Sequence, residues 1–206
     1  MLTFDEQGHK YFWNGALVDG VTDVIEALFP LPEYMKSEES ALFGKATHKA
    51  VELDELHRLG RIDNALLPWL QGWHKFRRDT GQLPVLEIDG MKAIETPMFC
   101  RALGYAGTPD VPLVDKARRK IVVVDIKTGS PSRRWDLQTA AYTRLIMDRV
   151  GTGWTYERVC VVLAPGDWRP YRPANPYADD FNVFVSMLNS LRWARAAGII
   201  KERENG

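Results

Sequence analysis

The segment that most limits the fold is Ile121-Val-Val-Val-Asp125-Ile-Lys127-Thr128-Gly129. Its β-branched run predicts a strand over Lys120–Lys127, because such side chains pack well on a pleated surface. Strand side chains alternate between faces. Ile121, Val123, Asp125 and Lys127 therefore share one face, and Val122, Val124 and Ile126 share the other. The strand runs from core to edge and ends with a carboxylate and an ammonium on the same side. Charges at a strand end can simply mark where it meets solvent. The alternative is that the acid binds a cation and the lysine meets an anion beside it.

The sequence around that strand predicts a single α/β domain over residues 1–206. Lys10–Trp13, an Asn14-Gly15 turn and Ala16–Val18 read as a hairpin, since Asn-Gly supplies the positive φ of a tight turn. Helices are expected over Val21–Leu28, Ser37–Leu59 (with Leu42, Ala46, Ala50 and Leu53 inward and Gly60 as its stop) and Ala65–Thr80. Val85–Ile88, Ala93–Cys100 and Val111–Val114 are short, apolar and bounded by turn residues. With Lys120–Lys127 they predict a largely antiparallel strand group. Ser132–Val150 returns to helix, and Arg158–Leu163, following it, can lie parallel to Lys120–Lys127. Ala164–Pro176 reads as loop or edge strand, Asp179–Ala197 as an amphipathic helix stopped by Gly198, and the tail from Lys201 as frayed. The expectation is a central mixed β-sheet flanked by helices, with a helical extension in front. Residues 1–80 form the hairpin and helical part, 81–165 the sheet and helix, and 166–206 the closing loop and helix.

Composition removes several classes. The 27 basic and 27 acidic residues balance to zero, which argues against a protein that coats nucleic acid by bulk charge. The charge is uneven, however. Lys116–Arg134 holds seven basic residues and one acid, which reads either as a solvated face or as a local cationic groove. Two cysteines, Cys100 and Cys160, cannot supply the four thiolates of a typical iron–sulfur cluster, and they favour an intracellular, reducing location. No apolar run is long enough to span a membrane, and the start carries no secretory-signal pattern.

The remaining chemistry-bearing residues fall in a definite order. Gly44 and His48 lie four apart on one helix, hence on one face. Glu95 sits in a strand-like run. Asp110, in Gly107-Thr-Pro-Asp, lies 15 positions before Asp125, and two strands joined by the basic Lys116–Lys120 turn can bring these acids together. Adjacent carboxylates repel unless a cation or proton lies between them, and oxygen ligands of this kind suit Mg²⁺ or Mn²⁺. Gln138 and Tyr142 lie one turn apart on the following helix and look back toward the strand end. An enzyme of small phosphorylated ligands would want a glycine-rich phosphate loop opening a helix, and none is present.

Gly-x-x-x-His, then Glu, then Gly-x-Pro-Asp, then Asp-x-Lys-Thr, then Gln-x-x-x-Tyr closely resembles the RecB-like branch of the PD-(D/E)xK nucleases over Gly44–Tyr142. The opening from His9-Lys-Tyr11 to Asp23-Val24-Ile25 is similar to the start of small phage-type members. The resemblance implies a restriction-endonuclease-like core and a divalent-metal-dependent deoxyribonuclease. The implied activity is that of an exonuclease in recombination, repair or replication, in a bacterial or phage-infected cell and with a partner protein there. It implies His48, Asp110, Asp125 and the backbone carbonyl of Ile126 as metal ligands. Lys127 would orient the attacking water, and Glu95 would be an accessory acid. Gln138 and Tyr142 would position the strand or the nucleic-acid backbone. Arg133 and Arg134 would grip phosphates of single-stranded or duplex DNA, with Trp135 stacking on an unpaired base. A catalytically inactive nucleic-acid-binding module of the same fold is the competing reading. Intact Asp110, Asp125 and Lys127 speak against it.

Overall fold

The computed structural model describes residues 1–32 and 37–201; the tail beyond Lys201 lies outside them. Three antiparallel strands open the chain: β1 (Leu2–Asp5), β2 (Lys10–Trp13) and β3 (Ala16–Gly20). The expected hairpin is β2–β3; β1 adds a third strand whose Leu-Thr-Phe-Asp alternation, only four residues long, is too short to signal a strand in the sequence. Helices α1 (Val21–Leu28), α2 (Glu38–Glu55) and α3 (Leu67–Asp79) follow. A run of strands comes next: β4 (Glu87–Ile88), β5 (Met91–Lys92), β6 (Met98–Cys100), β7 (Tyr105–Gly107), β8 (Val111–Asp115) and β9 (Lys120–Lys127). Helix α4 (Arg134–Val150), strands β10 (Thr155–Ala164) and β11 (Asp167–Tyr171), and helix α5 (Tyr177–Ala196) complete the chain.

One sheet has the order β11-β10-β9-β8, with β9–β10 parallel and the outer pairs antiparallel; a second has the order β1-β2-β3-β7-β6, and β4–β5 form a separate antiparallel pair. The architecture is the expected α/β arrangement, a mixed sheet flanked by helices. Strand β9 organises it. Ile121 and Val123 join one buried cluster with Val24 of α1, Leu145 of α4 and Leu188 of α5. Val122, Val124 and Ile126 join a second with Val51 of α2 and Trp73 of α3. The alternation read from sequence thus separates the two cores. Arg158 of β10, opposite Val123 of β9, is buried. It donates to Asp180 Oδ2 at 3.0 Å, to the Asp136 carbonyl at 3.0 Å and to the Asn175 carbonyl at 2.8 Å.

Three sequence expectations need correction. Helix α2 stops at Glu55, well before Gly60. His57 adopts φ 55, the N–H of Arg58 reaches the Leu53 carbonyl at 2.7 Å, and that of His57 reaches the Asp54 carbonyl at 2.9 Å. This is a Schellman ending with histidine in the left-handed place that glycine usually takes. The α2 stripe is also rotated: Thr47, Ala50 and Val51 are buried, whereas Leu42 is 60% exposed. Ala93–Cys100 is not one strand. Its first half bends, with Glu95 at φ 43, and only Met98–Cys100 pairs, with the unforeseen β7.

Two helical glycines have opposite surroundings. A Cβ on Gly72 would lie 2.4 Å from the Asp167 carbonyl oxygen and 2.7 Å from that of Ala164, both backbone. On Gly44 it would meet only Thr128 Oγ1, at 3.5 Å. In urea unfolding, Gly72→Ala is expected to cost about 1–3 kcal/mol through overpacking, whereas Gly44→Ala gains roughly 0.5–1 kcal/mol from helix propensity. Equal effects at the two positions would contradict this packing.

Candidate metal centre beside an Asp–Lys pair

The β8–β9 register sets Val111 opposite Val124. One step further, Asp110 faces the Asp125 end of β9, and its Oδ2 accepts the Ile126 N–H at 2.6 Å. Helix α2 supplies His48. Its Nε2 lies 2.9 Å from the Ile126 carbonyl oxygen. A carbonyl can only accept, so Nε2 carries hydrogen and the other ring nitrogen is left to face the acids. That Nδ1 lies 3.1 Å from Glu95 Oε1 and 3.5 Å from Asp110 Oδ2. The bend at Glu95 is pinned by its own N–H, which donates to the Asp110 carbonyl at 2.9 Å. One ligand atom each from His48, Glu95 and Asp110 lies within 4.8 Å of the others.

Asp125 stands beside this cluster in a different role. It is fully buried, and its Oδ2 lies 2.6 Å from Lys127 Nζ. The Cys160 thiol of β10 donates to the same oxygen at 3.5 Å. Among the described residues, its Oδ1 is buried with no hydrogen-bond partner, a condition that costs free energy unless something occupies the space. Lys127 also donates to Gln138 Oε1 at 3.1 Å, and Gln138 Nε2 donates to the Tyr142 hydroxyl at 3.1 Å.

Burial governs the electrostatics. It pushes the Asp110 carboxyl up to about 6; His48 opposes that shift and Glu95 reinforces it. Burial alone would lower His48, but the charge of Asp110 and the hydrogen bond and charge of Glu95 outweigh it and raise the imidazole to about 9. Burial also raises Asp125, against the pull of Lys127. Burial would lower Lys127, yet Asp125 and Asp110 hold it above its ordinary value. The amine therefore stays charged at neutral pH. Without a metal, a proton on His48 partly neutralises the acids.

The donor set suits a hard divalent cation. It combines one imidazole nitrogen and two carboxylates within reach of a common point, beside an unsatisfied carboxylate oxygen on Asp125. The Ile126 carbonyl adjoins this set, engaged by His48.

The expected nucleic-acid contacts are distributed differently. Arg134 is tied to Glu26 of α1, and Arg133 lies 3.1 Å from Asp136. Trp135 is half-buried under Lys127 Nζ, 5.8 Å from the ring centre, and touches Tyr171 edge-on. The basic Lys116–Lys120 turn does not flank the site. It opens β9 whereas Lys127 closes it, which separates them by roughly 23 Å at ~3.3 Å per residue. Arg118 is bound to Asp115, and Lys120 to Glu157. A pairing given no role from sequence is Tyr11 with Thr108: the two hydroxyls are 2.8 Å apart, both residues are buried, and burial pushes the phenol up to about 12.

No protein-family model matches the chain, and no curated protein is similar to it in sequence. Among solved structures, it is similar to a candidate exonuclease from Eubacterium rectale. The two share 12% identity over 87% of this chain and 74% of the other, with a TM-score of 0.51. That likeness is one of fold. No helix among the described residues is long and apolar enough to cross a membrane.

These shifts fix how stability should respond to pH and metal. His48 rises from 6.5 to about 9 on folding, so its contribution is complete below pH 6.5 and disappears as pH climbs through about 9. Asp110 rises from 3.8 to about 6, so its ionisation destabilises the fold as pH climbs through that interval. In EDTA, the melting temperature should fall from pH 6.5 to pH 9.5. Millimolar Mn²⁺ should raise it more at pH 8.5 than at pH 6, because the cation displaces the His48 proton. His48→Ala with Glu95→Gln should abolish the Mn²⁺ increment. An increment that persists in this double variant would place the ion elsewhere.

Proposed function

We propose that this chain is a divalent-metal-dependent deoxyribonuclease of the PD-(D/E)xK type, RecB-like branch, acting as an exonuclease in recombination, repair or replication. The observation that carries the reading is the convergence of His48, Glu95 and Asp110 around one point next to the buried Asp125–Lys127 pair. The fold likeness to the E. rectale candidate exonuclease supports it. Mg²⁺ or Mn²⁺ is the proposed ion, and the imidazole of His48 makes Mn²⁺ an effective substitute.

His48, Asp110 and Asp125 would hold the ion, with Glu95 at its side. Such an ion polarises a phosphoryl oxygen and lowers the pKa of water. The chain's own residues prepare the rest. Lys127 is a cation, so it does not take a proton; it orients the attacking water and offsets negative charge growing on the phosphate. Gln138 holds the ammonium together with Asp125, and Tyr142 fixes Gln138. Asp110 locks the strand end through the Ile126 N–H. Arg133 is the proposed phosphate contact at the rim. Arg134 and Trp135 contribute by holding α4 against α1 and β11.

The deciding assay uses end-labelled single- and double-stranded DNA with Mg²⁺, Mn²⁺ or EDTA. Wild type should release nucleotides from ends only with metal. Asp125→Asn and Lys127→Ala should each lower the rate at least about a hundredfold, and each should still unfold cooperatively at a lower midpoint, because it breaks a buried ion pair. Cleavage in EDTA, or undiminished cleavage in both variants, would refute the mechanism.

A further inference from the structure

We infer that the open face of the N-terminal sheet is a stacking platform for single-stranded DNA, leading bases away from the metal centre. The inference rests on the nuclease reading for its ligand, though its test does not require catalysis. Pairing sets Phe4 opposite Tyr11, and strand alternation puts Phe4, Tyr11 and Trp13 on one face. The rings of Phe4 and Tyr11 stack at 4.6 Å and 26°. Those of Trp13 and Phe99 stack at 4.4 Å and 15°, with the exposed Arg101 guanidinium 5.2 Å from the Trp13 ring centre.

This face is unlike the rest of the molecule. Met98 and Cys100, the neighbours of Phe99 in β6, point into the main core, so Phe99 points to the other side of the sheet. The principal neighbours of β1 and β2 are each other and β3, whereas β7 and β9 pack on helices. Phe4, Trp13 and Phe99 all remain partly exposed. Tyr11 is buried and His9 packs edge-on against Phe4 and Tyr11, but Phe4, Trp13 and Phe99 keep ring surface on this face, and the chemistry of those three rings specifies an occupant. Every unpaired base has a π-face that stacks on such rings, and an arginine beside them meets the phosphates.

The platform is also continuous with the candidate site. Tyr11 is at its inner end, and its hydroxyl meets Thr108 at 2.8 Å, two residues from Asp110. A strand whose scissile phosphate lies at the metal centre can thus pass the buried Tyr11 and lay its next bases over Phe4, Phe99 and Trp13. A duplex presents no free base faces and gains nothing from these rings.

The test is fluorescence anisotropy of the full chain with labelled oligo-dT and with a duplex of equal length, in EDTA so that nothing is cleaved. Trp13→Ala and Phe4→Ala should weaken oligo-dT binding about tenfold or more and leave duplex binding unchanged. Trp13→Phe, which keeps a ring, should restore most of the affinity. Arg101→Ala, at an exposed position that does not threaten folding, should lower the salt dependence by roughly 0.7 in log–log slope. Unchanged oligo-dT affinity in Trp13→Ala and Arg101→Ala would overturn the platform, as would an equal loss for duplex. A wild type that binds oligo-dT through these rings but cuts nothing with Mg²⁺ or Mn²⁺ would sink the nuclease reading and leave the platform standing.

Discussion

One carboxylate, Asp110, ties the candidate site together. Its side chain receives the Ile126 N–H at 2.6 Å, its backbone carbonyl receives the Glu95 N–H at 2.9 Å, and its Oδ2 stands 3.5 Å from His48. A strand, a bend and a helix are thereby fastened to one residue. Burying such a group without compensation would cost several kcal/mol. The fold compensates with a charge-assisted hydrogen bond and a neighbouring imidazole. Neither cancels the burial, which still holds the Asp110 and Asp125 carboxyls above their ordinary value.

Much of the scaffold was legible because it depends on periodicity. The two-residue alternation of β9 and the helical spacing of Leu137, Ala140, Ala141 and Leu145 are strong local signals, and all four of those α4 residues are buried. Asp110 and Asp125 could be paired because a short turn leaves two strands little freedom. His48 could not be placed in this way. It reaches Ile126 across 78 positions, and nothing local encodes that contact; it entered through the resemblance. The bend at Glu95 was hidden because a positive φ on glutamate leaves no compositional mark. The end of α2 was misread for the same reason, since histidine took the place where glycine was sought.

Charge was the least legible property. The basic residues around β9 look like one cluster in sequence, yet the strand carries them to opposite ends of the sheet. Arg134 found Glu26 108 positions away, and Arg118 and Lys120 found acids nearby. Formal charge counts what a side chain can offer; ion pairing decides what remains for a ligand. By contrast, Phe4 of β1 and Trp13 of β2 keep part of their surface free, although Tyr11 between them is buried.

The Arg158 junction has a consequence for chain length. Its guanidinium holds the first turn of α4, the loop at Asn175 and the opening carboxylate of α5 at once. A shortened chain that dispenses with α5 would strand this cation in the interior, at a cost of about 3–5 kcal/mol. Deletion of the closing helix and replacement of Arg158 should therefore be inherited as one event, and a sequence that has lost the first but kept the second would not hold the α4 register.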